Sequence, residues 1–238
     1  MKNIKDRDVL IICAGDSINK YQNEINRFIK ENKVITLGCN YINDFFTPDI
    51  HFWGDGRRYL EYGKHISKKS DLVFGQYVSS KTIRKYWKGS YKIIKYTQKK
   101  WKKSYEDPKS KKYGMGKAKY DYKRKIYHGV FRTMGSLIIF WAHTKKASRI
   151  SIVGMDGYTF YSEGNLKNKT DSQHCYGRGF TDVIANAHGT KKSEKFYKFC
   201  LEKDQDVNKT LKALKKYGIK FDIITPTVYK NFHNDKIL

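Results

Sequence analysis

Four apolar runs of this 238-residue chain each end in the same kind of chemistry. Val9–Ala14 runs into Gly15-Asp16-Ser17, and Val34–Leu37 into Gly38-Cys39-Asn40-Tyr41. Ile50–Trp53 runs into Gly54-Asp55-Gly56, and Ile150–Val153 into Gly154-Met155-Asp156-Gly157-Tyr158. A glycine at such a position lets the backbone turn tightly, and a helix starting just beyond it offers free N–H groups to a phosphate. Asp16 or Ser17 can cap that helix. The Asn40 amide can hydrogen-bond a base or ribose, and Tyr158 is a phenol that can donate to an oxyanion. Any one of these segments is equally an Asx turn. Four of them on one sheet edge argue for a binding site.

Other chemistry-bearing strings are weaker. His174 and His188 are the histidines of the segment 162–191 and are candidate proton acceptors. No histidine or cysteine grouping has metal-ligand spacing, so no metal site is expected. Gly114-Met115-Gly116-Lys117 lacks the spacing of a phosphate loop and follows no apolar strand. Asp204-Gln205-Asp206 matches an Asp-x-Asp metal string, but it stands where a helix is predicted to begin, so capping is the favoured role.

The elements that must position these residues follow from the apolar pattern. Strands are predicted at Val9–Ala14, Val34–Leu37, Ile50–Trp53, Leu72–Phe74, Tyr91–Tyr96, Ile150–Val153 and Phe221–Thr225. Helical spacing marks Ser17–Lys30, Leu137–His143 and Asp206–Tyr217, the last closed by Gly218. Short apolar strands separated by helix-length segments predict an α/β fold, a single Rossmann-like domain over 1–238 with a mostly parallel sheet flanked by helices. Two segments break the alternation, a basic insertion at about 97–125 and a lid-like insertion at about 162–191.

Composition narrows the partners. The net charge is +26, and Lys81–Lys125 holds 18 Lys/Arg against 3 Asp/Glu. Such a field favours anionic partners: nucleic acid, an acidic membrane surface, or phosphorylated and carboxylated substrates. Aromatics interleave with the lysines at Tyr86, Trp87, Tyr91, Tyr96, Trp101 and Tyr105, which would suit a single-stranded nucleic acid or a sugar chain. No apolar run approaches the roughly 20 residues of a membrane span, and no signal-peptide pattern precedes the first strand. A cytoplasmic protein is expected, with a peripheral place on the inner face of the cytoplasmic membrane as the alternative. The four cysteines, Cys13, Cys39, Cys175 and Cys200, show no CxxC spacing and are expected as buried thiols.

The ordered set, completed by Phe131-Arg132-Thr133-Met134-Gly135 before an apolar helix, resembles the bacterial sialyltransferases of glycosyltransferase family 42. It is similar also to the related domain of motility accessory factors and of 6-hydroxymethylpterin diphosphokinase-like proteins. The resemblance covers roughly residues 8–60 and 126–160. Those sialyltransferases carry Gly-x-Gly-Pro-Ser, Arg-Cys-Asn, Arg-x-Thr-Ser-Gly and Gly-Ile-Asp-Phe-Tyr in that order. This chain has Asp16 in place of the proline and Gly38 in place of the first arginine, and Asp55 stands near a family asparagine.

The resemblance implies a GT-A-like domain that transfers a nonulosonic acid, such as sialic acid, from a CMP-sugar to a bacterial surface glycan, with inversion and without a metal or other cofactor. Gly15, Asp16, Ser17, Asn40, Asp55, Thr133, Gly154 and Asp156 would then lie around the nucleotide and donor. Arg132 and Tyr158 would stabilise the leaving phosphate, and His188 or His174 would take the acceptor proton. The basic segment would dock the enzyme to an anionic membrane at about 1 kcal/mol per basic residue. Two competing expectations are a nucleic-acid-binding protein that uses that segment and a Mg²⁺-dependent diphosphokinase, whose relatives share Pro48-Asp49-Ile50. The sequence leaves a homo-oligomer open.

Overall fold

A computed structural model describes residues 1–97, 109, 118–160, 174–175 and 194–235. The chain forms β1 (Val9–Ile12), α1 (Ser17–Lys20), α2 (Gln22–Asn32), β2 (Ile35–Cys39), β3 (Ile50–Trp53), α3 (Gly56–Tyr62), β4 (Asp71–Gly75) and α4 (Ser80–Arg84). It continues with β5 (Lys92–Tyr96), β6 (Lys119–Asp121), β7 (Ile126–His128), α5 (Met134–Thr144), β8 (Ile150–Val153), α6 (Glu194–Lys216) and β9 (Phe221–Ile223). The strands make one nine-stranded sheet in the order β6-β7-β5-β4-β3-β2-β1-β8-β9. Every pairing is parallel except β6 with β7.

Over β1–β4 and β8 both faces of the sheet are covered, and those strands are buried on both sides, whereas β5, β6 and β7 are partly exposed. Val9, Ile11 and Cys13 of the first strand and its end face one core with Leu37, Phe52, α5 and α6, whereas Leu10 and Ile12 face the core under α1 and α2. The same alternation puts Phe52 and Val73 on the α5 side, and Trp53, Leu72 and Phe74 against α3 and α4. Helix α5 is buried from Gly135 to Ala142, as an all-apolar helix must be when it lies between a sheet and another helix. Its start is fixed by a capping box, in which the Thr133 hydroxyl accepts from the Ser136 N–H.

One register contact is set by a charged residue. Asp49, just before β3, accepts from the Thr36 amide at 2.9 Å and hydroxyl at 3.0 Å on β2, and from the Lys2 ammonium. Burial works against its charge, but these bonds outweigh it and hold the carboxyl below its ordinary value.

Three expectations need correction. The helix predicted over Ser17–Lys30 is broken at Tyr21, whose backbone leaves the helical region, so α1 and α2 are separate. Asp204 and Asp206 do not begin a helix; they lie within the 23-residue α6, which starts at Glu194. The basic stretch also contributes structure: its end, Lys119–Asp121, pairs with β7, a strand the polar sequence did not announce. The rest of both expected insertions lies almost wholly outside the described residues. All four cysteines are buried thiols, as expected. Among the described residues no helix is long and apolar enough to cross a membrane.

Candidate functional site

The chain winds outward from β1 through β2, β3, β4 and β5, then returns to the other side of β1 with β8 and β9. That reversal makes the crevice above the C-terminal ends of β1 and β8 the place where an open α/β sheet offers a ligand site. A cleft of about 730 Å³ lies there. Its wall includes Gly15, Asn40, Asp55, Arg132, Thr133, Gly154, Tyr158 and His174, which the sequence had singled out from separate segments. Asp16, Ser17 and Asp156 are not part of that wall, and His188 lies outside the described residues.

The floor explains why. The Gly15 N–H donates to the Gly154 carbonyl at 2.9 Å, and Cys13 N–H to the Val153 carbonyl at 2.9 Å. These bonds tie the loops after β1 and β8 together. Gly154 has φ +70°, and a Cβ there would meet the Cys13 carbonyl oxygen at 2.2 Å, so only glycine fits. Asp156 is 2 % exposed and accepts from the Ser17 amide at 2.8 Å and from the Ser17 hydroxyl. It therefore caps α1 from across the sheet, and neither Asp16 nor Ser17 caps it with its own side chain. The amide expected to hold a phosphate is bound to a carboxylate instead.

Asn40 is held in the left-handed region at φ +56°. Its Oδ1 accepts from Gly54 N–H at 3.0 Å, so the amide oxygen braces the end of β3 while the residue lines the cleft. His51 below it contacts the Asn40 carbonyl, and burial pushes its pKa down to about 4, so it stays neutral. The Cys13 thiol also lines the floor. Its contact with Cys39, then burial, push its pKa well up, so it is a protonated thiol rather than a nucleophile.

The far wall carries cations. Arg132, immediately before α5, has its Nε 3.3 Å from the Asp206 carboxylate. Lys203 on α6 places its ammonium 4.3 Å from the Tyr158 ring centroid. Asp204 accepts from the Tyr158 amide at 2.8 Å, the Thr159 amide at 2.7 Å, the Thr159 hydroxyl at 2.7 Å and the Tyr229 hydroxyl at 2.7 Å. The expected capping role is thus replaced by a bracing one: Asp204 fixes the loop that carries Tyr158. His174 reaches the cleft because its neighbour Cys175 is docked, donating its N–H to the Ala14 carbonyl at 2.9 Å and accepting from the Asn19 amide at 2.8 Å.

At the near rim Asp55 caps α3, accepting from the Arg57 amide at 2.9 Å and from its guanidinium at 3.2 and 3.3 Å. Burial opposes its charge, but the Arg57 bonds prevail and keep it below the usual carboxylate range. The aromatics expected as a stacking platform behave differently. Tyr96 is buried, and Tyr86, Trp87 and Tyr91 pack against the Trp53–Phe74 core, while Trp101 and Tyr105 lie outside the described residues.

Lys203, Tyr77 and Leu60 also line the cleft and were missed. None of the three had a readable signal, since the helix legible in the sequence begins only at Asp206. Among the described residues no cluster of three or more His, Cys, Asp or Glu could hold a metal ion. No protein-family model matches the chain, and no curated protein matches it.

Proposed function

We propose that the chain is an inverting glycosyltransferase that moves a sugar of the nonulosonic-acid class from a CMP-activated donor to a glycan, within a Rossmann-like, GT-A-like domain. One observation carries the reading: Asn40, Arg132 with Thr133, Tyr158 and Lys203 come from four separate segments and line one cleft at the sheet's reversal. Two of them are cations, and the start of α5 lies beside Arg132.

The chemistry follows from the leaving group. As the bond from the sugar to CMP breaks, negative charge grows on a single phosphate. Arg132, Lys203 and the Tyr158 phenol are donors that neutralise such charge in a partly dry site, where preorganised donors have the largest effect. Asn40, Gly15 and Thr133 border the nucleotide. Inversion requires a base on the opposite side of the anomeric carbon, and His174, or His188 outside the described residues, takes the acceptor proton. The nucleic-acid alternative loses support from the inward packing of Tyr86, Trp87, Tyr91 and Tyr96. The exposed basic surface remains available for docking to an anionic membrane.

The test is CMP release from a CMP-sugar, followed with and without chelator. Tyr158→Phe and Arg132→Ala are each expected to lower turnover on the order of 10²-fold, the effect of removing one such donor. Turnover that survives both substitutions, or that requires ATP and Mg²⁺ instead, contradicts the proposal and favours the diphosphokinase.

A further inference from the structure

The edge of the sheet opposite the cleft carries a surface that the proposed reaction does not use. Three segments meet there for a topological reason. Residues 122–125 lead into β7, 145–149 lead from α5 into β8, and 217–220 lead from α6 into β9. β7 runs parallel to β5, β8 to β1 and β9 to β8, so these strands all start on one edge while the cleft lies at the other. The four residues of β8 alone put about 13 Å between the two.

Rings run along this edge. Tyr122, 76 % exposed, packs on Tyr120 at 4.8 Å, Tyr120 on Tyr127 at 4.5 Å, Tyr127 on Phe140 at 5.9 Å and Phe140 on Tyr217 at 5.6 Å. Tyr217 is 48 % exposed and also meets the His143 ring at 6.0 Å. The buried Tyr127 and Phe140 thus hold two exposed phenols at the ends of one row.

Cations surround those phenols. Lys123, Lys125, Lys145, Lys146, Lys216 and Lys220 are exposed and make no ion pair with another described residue. Nearby carboxylates are already engaged. Asp121 accepts from the Arg124 N–H at 2.9 Å, and Asp6, whose N–H donates to the Lys146 carbonyl, lies 3.9 Å from the Lys5 ammonium. Lys125 and Lys146 hold φ at +54° and +60°, where glycine or asparagine is less strained. Both cations therefore stand there against local backbone preference, the kind of strain that collects at functional positions.

We infer that this edge binds single-stranded nucleic acid, with bases stacked on Tyr122 and Tyr217 and phosphates against the surrounding lysines. Exposed rings set among cations accept any unpaired base, whereas a duplex keeps its base faces stacked on one another. A face that docks on a membrane exposes Leu, Phe or Trp for insertion, and none of the three segments does so. These tyrosines are distinct from the inward-packed Tyr86, Trp87, Tyr91 and Tyr96. They share no side chain with the cleft wall, so the inference stands without the nucleotide-sugar reading.

Fluorescence anisotropy of a labelled oligouridylate, titrated at several salt concentrations, tests it. The wild type is expected to bind with an affinity that falls as salt rises. Tyr122→Ala and Tyr217→Ala each weaken binding at least about five-fold, the loss of one stacked base, and Tyr122→Phe retains it because stacking needs the ring and not the hydroxyl. Lys145→Glu with Lys146→Glu weakens binding at least ten-fold and flattens the salt dependence. Arg27→Glu with Lys30→Glu, two exposed cations of α2 on the other face of the sheet, changes it less than three-fold. No binding by the wild type, undiminished binding in both tyrosine-to-alanine variants, or equal losses for the two charge-reversed pairs overturns the inference. If those tyrosine variants bind oligouridylate normally but no longer pellet with phosphatidylglycerol vesicles, the face is a membrane surface and the inference is equally overturned.

Discussion

The two carboxylates of Asp204-Gln205-Asp206 are expected to behave very differently when removed. Asp204 is 6 % exposed and accepts four hydrogen bonds, among them one from the Tyr229 hydroxyl, itself 4 % exposed. Bonds to an ionised group contribute about 1.5–3 kcal/mol each, and a buried donor left alone costs about 1–3 kcal/mol. The Tyr158 and Thr159 amides are only half-buried, and water can replace part of what they lose. Asp204→Ala should therefore destabilise the chain by about 3–5 kcal/mol, a fall in Tm of roughly 10 °C for a domain of this size. Asp206 makes one ion pair with Arg132, both side chains about a quarter exposed. Asp206→Ala should cost less than about 1 kcal/mol. Urea unfolding of the two variants against the wild type reads the difference directly. Equal losses, or a larger loss for Asp206→Ala, would refute the assignment of Asp204 as the brace of the Tyr158 loop.

Gly15→Ala puts a Cβ 2.5 Å from the Gly154 carbonyl and 2.6 Å from the Asp156 carboxylate; thermal unfolding should show a loss of about 1–3 kcal/mol. Buried neutral His51 makes stability depend on pH. Its folded pKa of about 4 lies below the unfolded 6.5, so the contribution is complete above pH 6.5 and is lost as pH falls toward 4. The loss by pH 4 is about 3 kcal/mol, measurable as a urea midpoint that starts to fall near pH 6.5 and levels off where His51 of the folded chain titrates by NMR. Asp49 acts in the same direction at lower pH: its carboxyl is depressed, so its stabilisation is complete above the ordinary carboxylate value and is lost as pH falls from there through the lowered folded value. Asp49→Ala should flatten the acid limb of that profile.

The strands were the legible part of the fold. Ile50–Trp53 and Ile150–Val153 are short apolar runs buried on both faces, and nothing but a covered parallel sheet accommodates them. β6 and β7 escaped notice because Lys119-Tyr120-Asp121 and Ile126-Tyr127-His128 bury little beyond Tyr127. The break at Tyr21 has no glycine or proline to mark it. The candidate site divides along the same physical line. Strand ends can be read one by one, which singled out Asn40 and Tyr158, whereas Arg132, before a helix, was singled out only by the resemblance. Which of their neighbours turn inward is decided by contacts across the sheet. Asp156 bonds to Ser17 at a separation of 139 residues, and Asp204 reaches Tyr158 from the middle of a helix. Apolar periodicity becomes regular only from Val207 onward, which made Asp204 resemble a cap.

The most direct test of the central claim is titration of the ¹⁵N-labelled chain with CMP, with UMP, GMP and AMP as controls. CMP is expected to bind and to shift the backbone resonances of Asn40, Arg132, Thr133 and Tyr158 together. No binding by CMP, or shifts confined to residues outside the cleft, would contradict the account.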